Sequence, residues 1–338
     1  MNEKSANPTL SVVVNNYNYA RFLAEALDRA LEQLHDCDEL VIVDDGSTDE
    51  SPELLQRYAD RPGVRVIHQE NQGQMKCVRT GVNAARNDIV VLLDSDDYFL
   101  PGYLDRLRAI YRDNPQVDYV FCAAEVGVEP SAALRETRAI LDRMELRPGL
   151  VGATRWATIM FYEYVGVPTS GNSLTNALAK QIMTLPTSLD MTSTLPMPLA
   201  RLLRISETEA KKSGLTADGV IVRAASILGA TKYYDPRPGF MYRIHGGNKY
   251  ATVSLAGRRF LRHYRRTAFL KTAMVHFGMD RRPTAAELRE EILGRSFGLR
   301  LRRFLHIRAR YVIAVCCSSG SPGDKLKALR AVLLQVRR

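Results

Sequence analysis

The chain begins with an alternation of strand and helix signals. Leu10–Val14 is a β-branched run that predicts a buried strand. Over Ala20–Leu34, apolar side chains recur at Phe22, Leu23, Ala26, Leu27, Ala30, Leu31 and Leu34, the spacing of one helix face. Leu40–Val43, Val64–Ile67, Ile89–Leu93 and Val117–Cys122 predict further strands. Helices are expected between them over Asp49–Tyr58, Gln74–Ala85 and Pro101–Asn114. Ser47, Thr48 and Asp49 are start signals, and Pro52 and Pro101 sit near first turns. Strict alternation with short links from Leu10 to Cys122 predicts an α/β fold. Its sheet is mostly parallel, with helices on both faces and right-handed crossovers. Ligands of such sheets sit beyond the carboxyl ends of the strands.

The remainder is less regular. Thr187–Pro198, rich in Thr, Ser, Pro and Met, reads as a loop. Gly219–Leu228 returns to helical spacing, and Lys232–Ile244 reads as strand and turn. From about Ala256 the chain reads as basic helices, Arg258–Phe277 and Ala285–Tyr311 among them, with breaks at Pro283 and Ser318–Gly323.

Composition narrows the class. The 338 residues are 46% hydrophobic and 25% charged, which excludes a disordered or fibrous chain and allows one large domain or two modest ones. Apolar runs such as Ile89–Leu93 and Tyr311–Cys317 fall far short of the roughly 18–20 residues that cross a bilayer. No signal peptide is expected from Met1–Lys4. Five scattered cysteines without a CxxC pair predict reduced thiols in the cytoplasm, with neither a disulfide frame nor a zinc site.

Charge divides the chain. The net charge is +10, but residues 251–338 hold 20 Lys/Arg against 5 Asp/Glu, while residues 1–250 are net −5. This predicts a body over 1–250 and a basic helical extension over 251–338. The extension mixes Arg with Phe, Leu and Tyr, as in Arg258–Arg266 and Leu299–Leu305. Two readings stay open for it: helices packed on the body with a solvated basic face, or peripheral contact with anionic membrane at the inner face. No nucleic acid is expected, because the body is acidic and contains no recognised nucleic-acid module.

Two acidic clusters follow predicted strands and therefore share one sheet edge. Asp44-Asp45-Gly46-Ser47 follows Leu40–Val43, and Asp94-Ser95-Asp96-Asp97 follows Ile89–Leu93. Asp, Gly and Ser are ordinary turn and cap residues, which alone would explain the first cluster. Three carboxylates in four residues repel each other unless a cation joins them, and such hard oxygen ligands suit Mg²⁺ or Mn²⁺.

With these words in order, the sequence resembles the family 2 glycosyltransferases of GT-A fold. The resemblance runs through Ser11–Asn18, Val41–Asp49, Asn71-Gln72-Gly73, Val91–Asp97, Thr169–Ser173, Ala217-Asp218 and Tyr242–Asn248. It covers roughly residues 9–250. It implies a Rossmann-like central sheet and a metal-dependent, inverting transfer from a nucleotide-sugar donor, usually a UDP-sugar. The acceptor would be a hydroxyl of a glycan or lipid-linked acceptor of cell-envelope or exopolysaccharide type.

The resemblance also implies roles. Asp45 would accept a hydrogen bond from the donor's base. Asp44, Asn15, Asn16, Tyr17 and Asn18 would line the nucleoside pocket. Asp94-Ser95-Asp96 would be the DxD motif, with Asp94 near the ribose and metal and Asp96 on the metal. His245 would approach the metal too. Arg243 would hold the diphosphate, and Lys76 and Arg79 are further candidates for the donor. Asp218 would be the catalytic base, although Ala217 stands where the family usually has Glu; Asp218 is also readable as the N-cap of Gly219–Leu228. Glu207 and Glu209 are the rival bases. The alternative to an enzyme is a non-catalytic nucleotide-sugar-binding scaffold or sensor.

Overall fold

The computed structural model describes residues 7–128, 146–186, 216–245, 256–294 and 301–334. The Thr187–Pro198 stretch, Glu207, Glu209 and Gly246-Gly247-Asn248 lie outside the described residues. The elements are β1 (Leu10–Asn16), α1 (Ala20–Leu31), β2 (Glu39–Asp44), α2 (Ser51–Ala59), β3 (Val64–His68), α3 (Gln74–Ala84), β4 (Ile89–Asp94), β5 (Tyr98–Phe99), α4 (Tyr103–Asp113) and β6 (Tyr119–Val128). There follow β7 (Gly149–Gly152), α5 (Arg155–Phe161), a 3₁₀ turn at Thr169–Gly171, β8 (Asn172–Thr175), α6 (Asn176–Met183), α7 (Ala217–Leu228) and β9 (Lys232–Ile244). Four helices close the chain: α8 (Ala256–His276), α9 (Ala285–Gly294), α10 (Leu301–Cys317) and α11 (Pro322–Leu334).

Alternation along the first strands builds two cores. Val13, Val41, Val43, Val90 and Leu92 face one core, which α3, α6, α7 and α8 complete. Leu10, Val12, Val14, Leu40, Ile42, Val91 and Leu93 face the other, which α1, α2 and α4 complete. Apolar residues on both faces of a strand are what a parallel sheet between helix layers requires. Gly81 lets α3 lie directly on β1: a Cβ there would stand 2.3 Å from Val13 Cγ1.

The sheet runs β3-β2-β1-β4-β8-β6-β9-β5, with β7 on β9. β3, β2, β1 and β4 are parallel, and so are β6 and β9, while β8 is antiparallel to both of its neighbours. Register sets Asn16 opposite Asp44 and Asn15 opposite Asp94, so three strand ends meet at one edge. The β6–β9 pairing slips around Cys122–Ala124, opposite Pro236 and Pro238, which have no N–H to give the ladder.

The structure corrects several sequence expectations. The helix expected over Ala285–Tyr311 is two, α9 and α10. The break expected over Ser318–Gly323 stands at residues 318–321, and Pro322 already opens α11, where its missing N–H costs nothing. Polar β8 and the short α5 and α6 carry no long apolar period and gave no strand or helix signal.

The C-terminal helices form a third core in which α5 takes part. Trp156 packs with Leu288, Ile292, Tyr311, Val315 and Val332. Buried Glu291 receives the Trp156 N–H (2.8 Å), the Ala157 N–H (2.9 Å) and the Tyr311 hydroxyl (2.7 Å). A carboxylate at a helix N-terminus matches the helix dipole. From the same helix Arg155 donates to the Ile227 and Leu228 carbonyls at the end of α7 (2.7 and 2.8 Å). The basic extension is thus tied, through α5, to the helix that carries Asp218.

Candidate active site

The first acidic cluster is internally satisfied. Asp44, 2% exposed, accepts the Asn16 amide (2.9 Å) and the Ser47 hydroxyl (2.5 Å) on Oδ1, with the Ser47 N–H and His68 near Oδ2. Asp45 reaches the loop before α3. It takes the Gln69 amide (2.6 Å) and Gln72 N–H (2.9 Å) on Oδ1, and the Gly73 N–H (2.8 Å) on Oδ2. A carboxylate offers about four acceptor sites, so Asp45 keeps one for a ligand. Gly46, at φ +72°, lets Asn71 N pass where a Cβ would stand 2.8 Å from it. Asn18, also left-handed at φ +58°, accepts the Thr48 N–H on Oδ1 (2.7 Å), and Tyr17 is exposed.

The second cluster is not satisfied. Ligand oxygens of Asp94, Asp96 and Asp97 lie within 4.8 Å of one another. Burial and then Asp96 push the Asp94 carboxyl up to about 7. Burial, Asp96 and Asp94 push Asp97 well above the usual carboxylate range. Gln74 donates to Asp94 Oδ1 (2.9 Å). Ser170 Oγ accepts the Asp94 N–H (3.1 Å) and donates to Asp97 (2.6 Å), whose other oxygen takes the Arg243 N–H (3.0 Å). Asp97 is thereby a buried strut, while Asp96 and Asp94 face the open edge. His245 Nε2 stands 3.1 Å from Asp96 Oδ2. Hard carboxylate oxygens with a neighbouring imidazole, too close to ionise together freely, fit a divalent cation.

Aromatic residues that sequence reasoning did not single out surround this centre. The His245 ring packs on Phe22 (4.8 Å) and edge-on to Tyr19 (5.5 Å). Tyr19 and Tyr242 are both raised well above the ordinary phenol range, first by burial and then by the Asp94–Asp97 carboxylates. Tyr19 adjoins the Ser11–Asn18 motif and Tyr242 opens the Tyr242–Asn248 motif, and that position was the available signal. The Arg243 guanidinium lies over Tyr98 (4.6 Å) and Phe22 (5.1 Å) and pairs with Glu25.

Buried polar atoms at the strand ends await partners. Asn15 Oδ1, Asn16 Oδ1 and Ser95 Oγ have no hydrogen bond. Buried polar groups are almost always paired, so three at one edge mark a place for a polar ligand.

Asp218 belongs to the same constellation. It lies in the first turn of α7, inside the helix; Thr216 occupies the cap position, so the N-cap reading of Asp218 is not what the structure has. The Tyr164 hydroxyl donates to Asp218 Oδ2 (2.8 Å). Asp218 is near enough to Asp94 to help raise its carboxyl. Tyr164, absent from the sequence-based candidates, is raised by burial and by Asp218. The two further candidate cations lie on α3, whose N-terminal loop is bound by Asp45. Arg79 donates to the Leu185 carbonyl (2.8 Å), tying α3 to the end of α6, and Lys76 Nζ lies 3.5 Å from Gln72 Oε1.

The family model described as "Glycosyl transferase family 2" matches residues 11–163. The "Uncharacterized glycosyltransferase alr2836" of Nostoc is 27% identical over 251 residues, 73% of this chain and 68% of that protein. The "Undecaprenyl-phosphate 4-deoxy-4-formamido-L-arabinose transferase" of Pseudomonas syringae is 40% identical over 104 residues, 29% of this chain and 31% of that protein. Thus the chain spans about two thirds of the first and about a third of the second. In fold, the crystal structure of S. aureus TarS in complex with UDP-GlcNAc superposes with a TM-score of 0.50 at 15% identity, over 96% of this chain and 71% of that one.

Proposed function

We propose that this chain, whose residues 11–163 match the glycosyl transferase family 2 model, moves a sugar from a nucleoside-diphosphate donor, a UDP-sugar, to a hydroxyl of a glycan or lipid-linked acceptor of cell-envelope type. The observation that carries the proposal is one sheet edge holding three things: the uncompensated Asp94/Asp96/His245 group, three orphaned polar atoms, and Asp218. The UDP-sugar in the TarS complex and the lipid carrier in the P. syringae relative's name support the donor and acceptor classes.

Each residue has a task in this reading. Asn16, Tyr17, Asn18, Asp44 and Asp45 shape the nucleoside pocket, with the last free valence of Asp45 for the base. Asp94, Ser95 and Asp96 sit under the ribose and diphosphate, and Arg243 steadies the diphosphate. Asp94 and Asp96, with His245 adjacent, would hold Mg²⁺ or Mn²⁺, which would supply Lewis-acid stabilisation to the departing diphosphate. Tyr164 holds Asp218 Oδ2, leaving Oδ1 to take the proton from the acceptor hydroxyl. One base and no protein nucleophile imply a single displacement, which inverts the anomeric centre.

The chain is proposed to act in the cytoplasm, with its basic helices against the inner membrane face. Among the described residues no helix is long and apolar enough to cross a membrane. The sensor alternative draws on Ala217, but Ala217 is buried in the apolar core, and packing accounts for it. The test is nucleotide release from a panel of nucleotide sugars with lipid-linked acceptors, with and without chelator. Metal-dependent release supports transfer. Donor binding without any release supports the sensor.

A further inference from the structure

The C-terminal helices expose more large apolar side chains than the body does. Of seven large apolar residues exposed among the described ones, Leu293, Ile313, Leu326 and Leu333 lie on α9, α10 and α11. On α11 the pattern is two-faced. Ala328 and Val332 enter the third core, with Leu329 packed against it. A helix of 3.6 residues per turn then brings Leu326, Arg330 and Leu333 together on the opposite side, with Lys327 at its margin. Leu326 and Leu333 are 52% and 61% exposed, and Lys327 and Arg330 are exposed beside them. Two leucines about 10 Å apart along the axis, with two cations among them, form a compact amphipathic face.

The charge of the region selects the occupant. Residues 251–338 carry a net +15. A second copy of this chain would set like charge against like. A nucleic acid has no use for paired leucines on a helix surface. An anionic lipid surface satisfies both features, because headgroup phosphates meet the cations and the acyl boundary takes the leucines. We propose that the Leu326–Arg330–Leu333 face of α11 docks this protein on anionic membrane. The inference rests on the peripheral membrane contact proposed above and names the surface that makes it. Its consequence is orientation. Glu291 locks α9 to α5, and Arg155 locks α5 to the end of α7. The docked bundle therefore fixes how the helix carrying Asp218 stands relative to a bilayer that holds a lipid-linked acceptor.

The test is sedimentation of the full chain with phosphatidylcholine vesicles and with mixed phosphatidylcholine–phosphatidylglycerol vesicles, at low and high salt. No donor or acceptor is present, so the outcome is independent of sugar transfer. Wild type should bind the anionic vesicles only, and less at high salt, since the attraction is screened over about 8 Å at physiological ionic strength. Leu326→Ser with Leu333→Ser should lower partitioning by about tenfold or more, from two lost apolar insertions. Lys327→Glu with Arg330→Glu should lower it similarly on anionic vesicles. Unchanged circular dichroism and UDP binding would show these variants folded. Failure of wild type to bind overturns the membrane reading and the α11 face together. Anionic binding that both double variants retain overturns the α11 face alone. A wild-type dimer that the leucine variant turns into a monomer, without vesicle binding, assigns the face to a second copy instead.

Discussion

The two edges of the parallel half-sheet are both lined with acids, and the acids are treated differently. At the amino-terminal edge Asp38 accepts the Leu10 N–H (2.8 Å) and His35 N–H (2.7 Å) and pairs with buried Arg108. Glu39 receives the Ser11 hydroxyl, the Arg86 N–H (both 2.6 Å) and Arg65 (3.1 Å). Asp88 takes the Thr9 N–H and hydroxyl. At the carboxyl edge Asp44 and Asp45 are supplied in the same way, but Asp94, Asp96 and Asp97 crowd within 4.8 Å, with two of them driven toward protonation. Carboxylates that serve stability are supplied with donors by the chain itself. Carboxylates left in mutual repulsion are held for something the chain does not contain.

The sharpest way to break this comparison is Asp218→Asn. It removes the proposed base and keeps the size of the side chain. A positioned base is worth about 10²–10⁴-fold, so turnover should fall by that factor while donor affinity holds. Tyr164→Phe should give a smaller loss, about tenfold, from one hydrogen bond to a charged group. Steady-state kinetics of both variants, read as separate kcat and KM effects, checks this. Wild-type turnover in Asp218→Asn would move the base elsewhere, Glu207 and Glu209 being next.

The opposite edge should answer in stability instead of turnover. Asp38→Ala leaves buried Arg108 only the exposed Asp105 carboxylate (2.6 Å) and bares the Leu10 and His35 N–H groups, and should cost about 3–5 kcal/mol. Urea unfolding measures it. Folded Asp38→Ala protein should still bind donor normally, and loss of donor binding at unchanged stability would erase the distinction between the edges.

The smallest effect is a pH dependence. The Asp94 carboxyl stands at about 7 when folded, against about 3.9 in an unfolded chain. A raised folded value favours folding while the group is protonated. That contribution is complete below about pH 4 and is lost as pH rises through about 7. Metal-free protein should therefore melt lower at about pH 8 than at about pH 5, with a divalent cation removing the fall. Thermal scans in chelator and in Mn²⁺ check the sign. A melting point that climbs over this range in chelator would contradict it.

Much of this contrast was legible in the sequence, and the limits were physical. Alternation of β-branched runs with helical spacing located β1 to β4 and their helices, because both faces of β1, β2 and β4 are buried. The same register logic brought Asp44 and Asp94 to one edge. The mixed half was opaque: β8 is four residues with two buried polar side chains, Asn172 and Ser173, whose partners, Tyr119 and Tyr111, are some fifty to sixty residues away in the chain. Tyr164 escaped for the same reason, since its tie to Asp218 spans 54 residues. Charge counting read the basic extension as an appendage. Glu291 stands beside Glu290 and near Glu287 on the same helix, and nothing in the sequence marks it out as the acid that caps α5.

The central claim is that the uncompensated carboxylates at the carboxyl edge hold a cation and, with it, the donor. Calorimetric titration of UDP into the full chain, with Mn²⁺ and with chelator, tests it without any acceptor. Wild type should bind UDP in Mn²⁺ and lose about tenfold or more in affinity in chelator, and Asp96→Ala should bind weakly in both. Equal UDP affinity in wild type and Asp96→Ala, indifferent to the metal, would contradict the account.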